Sequence, residues 1–305
     1  MCRYSDPLVL MQVTVFSCGG FVLGVSFNHA IADGVGMCQF LQAVGEFSRG
    51  LPSPSVLPVR QEDSISLGVP PAIAKILQFL GTIRPSQMAL LDITVKQSLI
   101  NGIKYKYTSM NSGRTCTVFE AVAAVLWRCR TRAIMSMSKS KCNPEAVTAL
   151  ILPTNARKYA GAKEGYYGNC LLVELVTATT GMVANSDLVD IVKMIQDAKD
   201  RVLPDQADID ELLQVEPEED WYNILVAQCW RNIGLEALDF GAGRPARVMK
   251  YYRGMTWLPE CTACIPCSND LHAYNVLSVC VKDHHSRAFL QELADAHLLF
   301  KPSPL

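Results

Sequence analysis

No apolar run in this 305-residue chain reaches the roughly 18 residues a membrane-spanning helix needs. Nor does the opening MCRYSDPLVLMQV hold the unbroken apolar stretch of a secretory signal, because Asp6 and Pro7 interrupt it. Neither sign of charge is in excess: 28 Lys+Arg against 29 Asp+Glu leave a formal net charge of -1. Without a Lys/Arg run or a basic helix face to neutralise phosphates, neither nucleic acid nor a membrane is an expected partner. Cysteine, in contrast, is plentiful at twelve. Disulfide frameworks belong to short secreted chains with little core, so reduced thiols and a cytoplasmic location are expected here. Half of the residues are hydrophobic, enough to fill cores, and the length fits about two domains.

Residues 8–27 read as two β-rich runs parted by Gly19-Gly20, an antiparallel hairpin. The second run ends at Asn28-His29. Asp33-Gly34 then makes a turn, and Phe40, Leu41, Val44 and Phe47 recur at helical spacing up to Gly50. Pro52, Pro54, Pro58, Pro70 and Pro71 mark an extended crossover. LLDITVKQSLINGIKYKY suggests a strand and a short helix. Thr117 and Glu120 have the spacing of a capping box, which predicts a helix starting near Thr117. Strands are expected at 147–153 and 170–178. An amphipathic helix is expected at 186–203, capped by Ser186, with Leu188, Ile191, Val192 and Ile195 on one face. The acidic stretch 205–220 reads as a solvated surface segment, and a last helix is expected at about 284–298.

His29 stands where an apolar strand meets a turn, a place from which a side chain projects off a rigid edge. Asp33 follows four residues later. In a chain with five histidines and sixteen aspartates this H-x-x-x-D spacing arises by chance about 0.26 times, so the spacing alone is weak. The following glycine and helix start make the whole pattern rarer. The LDFGAG segment, 238–243, has two glycines that permit positive φ and so a tight turn. It is not a dinucleotide fingerprint, since the third glycine is absent and Pro245 blocks a helix. It is not a kinase D-F-G either, because no phosphate loop or H-R-D accompanies it. Cys261, Cys264 and Cys267 have a spacing that thiolates can use to share a metal. A fourth ligand would have to come from Cys280 or His272, and the expectation is structural thiols and no metal. His284-His285 is expected to be a solvated cap region, and Tyr251, Tyr252 and Trp257 to be packing residues.

Taken together, FNHAIADG near the start, the GYYGN loop at 165–169, LDFGAG, the TVFEAVAAVLWRCRTRA helix and Asn155-Ala156-Arg157 resemble the plant BAHD family of acyl-CoA-dependent acyltransferases. The match runs in order over essentially the whole chain and looks closest to the branch of taxane acyltransferases and grass hydroxycinnamoyl transferases. The resemblance implies an α/β fold of the chloramphenicol-acetyltransferase type, two domains with mixed sheets and flanking helices. In the family H-x-x-x-D lies well into the chain, which implies a truncated first domain here. Residues 1–60 would be its remnant, 61–90 a crossover linker, and 91–305 the second domain.

The same resemblance implies that His29 is the catalytic base and Asp33 a structural residue that orients the site, with Arg157 its candidate ion-pair partner. Asp239, Phe240, Gly241 and Gly243 would form the structural motif near acyl-CoA; Ala242 departs from it, where the family has tryptophan. An alcohol ionises far above neutral pH, so attack on a thioester needs a base, and a neutral imidazole suits that task. The implied reaction moves a hydroxycinnamoyl, benzoyl or acetyl group from acyl-CoA, a co-substrate, to the hydroxyl (or amine) of a plant metabolite without a cofactor. The alternative is a catalytically silent paralogue that binds a ligand or partner. Condensation domains of peptide synthetases share a similar H-x-x-x-D-G but lack the D-F-G turn.

Overall fold

The computed structural model describes residues 7–60, 78, 84–137, 143–201, 221–252, 254–264 and 273–299. Most of the expected crossover and the whole acidic stretch 205–220 lie outside them. The chain forms two compact units. One gathers Met1–Ser66, Asn155–Leu171 and Ile233–Pro245, and the other Leu67–Thr154, Leu172–Asn232 and Ala246–Leu305. These divisions differ from boundaries at 1–60, 61–90 and 91–305. The loop at 155–171 hydrogen-bonds the His29–Asp33 turn, and the loop at 233–245 accepts from Arg49 and meets Phe21, so the units interleave along the sequence.

In the first unit β1 (Val9–Val15) and β2 (Phe21–Phe27) pair antiparallel from Val9↔Phe27 to Val15↔Phe21. Phe16 and Gly20 close the turn with a 2.8 Å backbone bond. A two-stranded hairpin cannot bury both faces, and Val13 and Val15 are exposed. After the turn comes α1 (Gly34–Ser48), with Asp33 as its N-cap. Its buried stripe is Met37, Cys38, Leu41 and Gly45, whereas Phe40 and Phe47 are exposed. Of the four expected positions, Leu41 is buried and Val44 half-buried, while Phe40 and Phe47 are turned out; Gly36 and Gly45 take the buried side where the backbone of Tyr167 and Asp239 comes close.

The second unit is built on a six-stranded sheet in the order β4 (Leu91–Lys96), β10 (Ala273–Val279), β9 (Glu260–Ala263), β7 (Ile224–Cys229), β5 (Val147–Asn155), β6 (Leu171–Thr179). The β4–β10 and β10–β9 pairs are antiparallel, while β9–β7 and β7–β5 are parallel. A further small pair joins β3 (Ser86–Gln87) to β8 (Met255–Thr256). Helices α2 (Gln97–Met110), α3 (Val118–Met137), α4 (Thr180–Asn185), α5 (Leu188–Asp200) and α6 (Asp283–Leu298) complete it. The α3 run Ala121–Trp127 is apolar all round and at most 1% exposed, the sign of a core helix. It starts as its capping box requires. The Glu120 N–H donates to Thr117 Oγ1 at 3.1 Å, and the Thr117 N–H donates back to Glu120 Oε2 at 2.8 Å.

The α5 face of Leu188, Ile191, Val192 and Ile195 is buried as its period requires. Its cap is Asp187 rather than Ser186: Asp187 Oδ1 accepts from the Val189 N–H at 3.1 Å, while the Ser186 N–H closes α4 on Met182 O. Tyr251 and Trp257 are largely exposed instead of packed; Tyr252 packs against a buried cluster that includes Met88, Leu258 and Val279. His284 is exposed as expected, but His285 is not, because α6 turns it inward onto Tyr222.

There the Lys282 N–H donates to Tyr222 Oη at 2.9 Å. Tyr222 Oη and His285 Nδ1 lie 2.9 Å apart, within hydrogen-bond distance, with the two rings stacked. Burial first, then the neighbouring cations, push this imidazole down from 6.5 to about 4. The unfolded chain takes up that proton below 6.5 and the folded chain refuses it until about 4. Stability is thus complete above pH 6.5 and falls as pH drops through that window, by up to about 3 kcal/mol. Thermal unfolding between pH 7.5 and 4.5 should show a steeper acid loss for wild type than for His285→Gln. Parallel curves would remove His285 as the cause.

Candidate active site

The last pair of the hairpin ladder is followed by a tight turn. The Asn28 N–H donates to Leu8 O at 2.8 Å, and Asn28 then closes the turn on Ala30 (N to Asn28 Oδ1, 2.9 Å) and Ile31 (N to Asn28 O, 3.1 Å). His29 sits at its tip. The side chain is exposed, its ring centroid 5.9 Å from that of Phe27, and no described residue hydrogen-bonds the imidazole. A ring in that state has both nitrogens available for a ligand.

Asp33, four residues on, is the opposite case. It is 0% exposed and fully engaged. Oδ1 accepts from the Gly36 N–H at 2.9 Å and Arg157 Nη2 at 2.8 Å; Oδ2 accepts from Arg157 Nη1 at 2.9 Å and the Cys170 N–H at 3.0 Å. A carboxylate offers about four acceptor sites, and here all are taken by the protein. The geometry is the bidentate fork that makes guanidinium–carboxylate pairs strong. Arg157 also donates through Nε to Tyr166 O at 3.1 Å and through Nη2 to Gly168 O at 2.8 Å. One buried pair thus fixes the helix start and the 165–170 loop together.

The approach of that loop depends on Gly36. A Cβ there would lie 1.8 Å from Tyr167 O, so any side chain must push the backbone away. Gly36→Ala should destabilise by about 1–3 kcal/mol, the usual range for overpacking. Urea unfolding would measure it, and a loss under about 0.5 kcal/mol, the range of neutral surface changes, would show the contact to be loose.

The LDFGAG turn sits at the other end of α1, roughly 20 Å along the helix axis. Asp239 Oδ1 accepts from the Gly241 N–H at 2.8 Å and the Gly243 N–H at 3.0 Å. Those bonds, Gly241's first, hold its carboxyl below the usual range. Gly241 and Gly243 have φ of 97° and 86°, which a side-chain-bearing residue rarely adopts. Ala242 is exposed, so the turn closes on its glycines and Asp239 without a large aromatic. Phe240 meets Phe21 edge to face at 6.4 Å. Arg49 Nη1 donates to Asp239 O, and Gly45 leaves room for that carbonyl.

Of the residues singled out from sequence, the structure brings His29, Asp33 and Arg157 into one corner and sets Asp239, Phe240, Gly241 and Gly243 at the far end of the same helix. Sequence reasoning assigned no part to Gly36, Gly45, Arg49 or Asn169. The signal that was available is two glycines, nine residues apart, inside an otherwise helical run. The thiols of the cysteine-rich segment are turned to the protein: Cys261 Sγ donates to Ser278 Oγ at 3.5 Å and Cys264 Sγ to Thr262 O at 3.3 Å. Cys267 and His272 lie outside the described residues.

The model of the Transferase family matches residues 2–256. Acyl transferase 15 of Oryza sativa subsp. japonica is 43% identical over 298 residues, 94% of this chain and 66% of the relative. Myricetin 3-O-glucosyl 1,2-rhamnoside 6'-O-caffeoyltransferase AT2 of Crocosmia x crocosmiiflora is 31% identical, over 96% of this chain and 69% of its own length. Piperine synthase of Piper nigrum is 29% identical, over 80% and 55%. The chain therefore spans between about half and two thirds of such relatives. Among solved structures, vinorine synthase aligns with a TM-score of 0.73 at 15% identity, covering 97% of this chain and 67% of that one. F. sporotrichioides TRI101 complexed with coenzyme A and T-2 aligns at 0.62 and 15%, covering 95% and 68%. At such identities the likeness speaks for the fold, the mixed-sheet α/β fold of the chloramphenicol-acetyltransferase type. The family match over residues 2–256 and the 43% identity across nearly the whole chain lead to one conclusion: the chain belongs to the BAHD acyltransferase family.

Proposed function

We propose that the chain transfers an acyl group from acyl-CoA to the hydroxyl of a plant metabolite, with His29 as general base. The observation that carries this reading is the corner in which His29 presents an unengaged imidazole while Asp33 is wholly occupied by Arg157, Gly36 and Cys170. His29 removes the acceptor proton as its oxygen attacks the thioester carbonyl. The tetrahedral intermediate then expels CoA thiolate, the C–S bond breaks, and the imidazolium returns the proton to sulfur. No covalent acyl-enzyme and no cofactor enter this scheme. Asp33 and Arg157 shape the turn and take no part in proton transfer, and the turn from Asp239 through Phe240 and Gly241 to Gly243 is read as the structural element near acyl-CoA.

A hydroxycinnamoyl donor fits best with a caffeoyltransferase among the relatives; benzoyl and acetyl groups remain in the donor panel. The reading places the reaction in the cytoplasm. The described cysteines are free thiols, and among the described residues no helix is long and apolar enough to cross a membrane. The test is thiol titration of released CoA with a panel of acyl-CoAs and acceptors. Release that requires an acceptor supports acyl transfer and identifies the donor. A folded chain that binds acyl-CoA but releases none would favour the binding-only reading.

A further inference from the structure

We propose that Asn169 is a positioning residue for His29, an inference that rests on the reading of His29 as the base. A general base must hold its ring within about 0.5 Å and 10–20° of the productive pose. The His29 ring has no hydrogen-bond support of its own among the described residues, so its aim is inherited from the backbone that carries it. The peptide unit joining His29 to Ala30 is held at both edges. Its N–H donates to Asn28 Oδ1 at 2.9 Å, and its carbonyl accepts from Asn169 Nδ2 at 2.8 Å.

These anchors are not equivalent. Asn28 belongs to the same turn and moves with it. Asn169 stands 140 residues away on the 165–170 loop, and the next residue, Cys170, donates its N–H to Asp33. That loop is tied again by Arg157, which donates to Gly168 O and Tyr166 O. The amide of Asn169 therefore refers the plane of the His29 peptide to the buried Asp33–Arg157 pair, and with it the direction of the Cα–Cβ bond. The buried pair supplies rigidity, and Asn169 passes it to the residue that needs it.

Asn169→Asp is the sharpest variant, because it keeps the shape and sets an oxygen against the His29 carbonyl. Asn169 is exposed, so no core is emptied. In the full chain, kcat should fall tenfold or more with KM for acyl-CoA within twofold, since small misplacements act on the chemical step. Asn169→Gln, which keeps an amide donor, should recover part of the loss. In a His29→Ala background Asn169→Asp should cost nothing further, as two residues acting through one group are not additive.

A second readout does not depend on turnover. In protein carrying 13C-histidine, the His29 Cε1–H resonance, assigned by its loss in His29→Ala, should move in Asn169→Asp and return toward its place in Asn169→Gln. The resonances of His284, His285 and His297 should stay. An unmoved His29 resonance, or an undiminished kinetic loss in the His29→Ala background, overturns the proposal. Wild-type turnover by His29→Ala would instead sink the base reading, and the resonance alone would then decide whether Asn169 sets the ring.

Discussion

His29→Ala should lower acceptor-dependent CoA release by about 10²- to 10⁴-fold, the usual share of general acid–base catalysis. The reasons lie in what the side chain does and does not touch. Its ring is exposed and hydrogen-bonded to no described residue, so removing it leaves no orphaned partner and creates no cavity. Surface changes of that kind stay within about 0.5 kcal/mol, and the thermal midpoint should hold near the wild-type value. The contrast between large kinetic and negligible thermal effects is the signature sought. Full turnover by His29→Ala would exclude the base assignment, and a collapse of the fold would show that the turn depends on the ring. Asp33 cannot stand in as the base, since each of its acceptor sites is already filled.

Local rules carried some parts of the fold and failed at others for identifiable reasons. The hairpin, the Thr117–Glu120 capping box and the α5 face depend on residues within a few positions of one another, and the sequence displays such patterns directly. On α1 the helical period places Leu41 correctly, but hydrophobicity also favours Phe40 and Phe47, which are exposed, because part of the packing partner is the backbone of Tyr167 and Asp239, which selects glycine. The burial of His285 has no local signature, because its neighbour Tyr222 is 63 residues away. Ser186 and Asp187 can both cap; only the short helix before them decides which one does. The site followed the same division. His29 and Asp33 are visible as a spacing on a strand–turn–helix unit, but nothing in the spacing of residues 33 and 157 pairs them, and that pairing entered from resemblance. Asn169 stands out in the sequence only as the last residue of the GYYGN loop, and its bond to the His29 carbonyl exists only once two distant segments meet.

Arg157→Met should be the most damaging substitution to stability among those that leave the backbone pattern intact. It strips the guanidinium from Asp33 and leaves a carboxylate that is 0% exposed with only the Gly36 and Cys170 amides for company. Breaking a buried pair from one side costs about 3–5 kcal/mol, because the remaining charge is desolvated without compensation. The carbonyls of Tyr166 and Gly168 lose their donor in the same step. Asp33→Asn removes the charge from the other side while keeping an oxygen for the α1 cap, so it should cost less than Arg157→Met. The double variant is the informative one. With both charges gone the desolvation penalty disappears from each side, and its loss should fall well below the sum of the single losses. Urea unfolding of the three variants gives the cycle directly. Simple additivity would mean that the two side chains stabilise the protein independently and that the pair does not hold the 165–170 loop to the start of α1. Strong coupling would locate the rigidity of the His29 turn in this one ion pair.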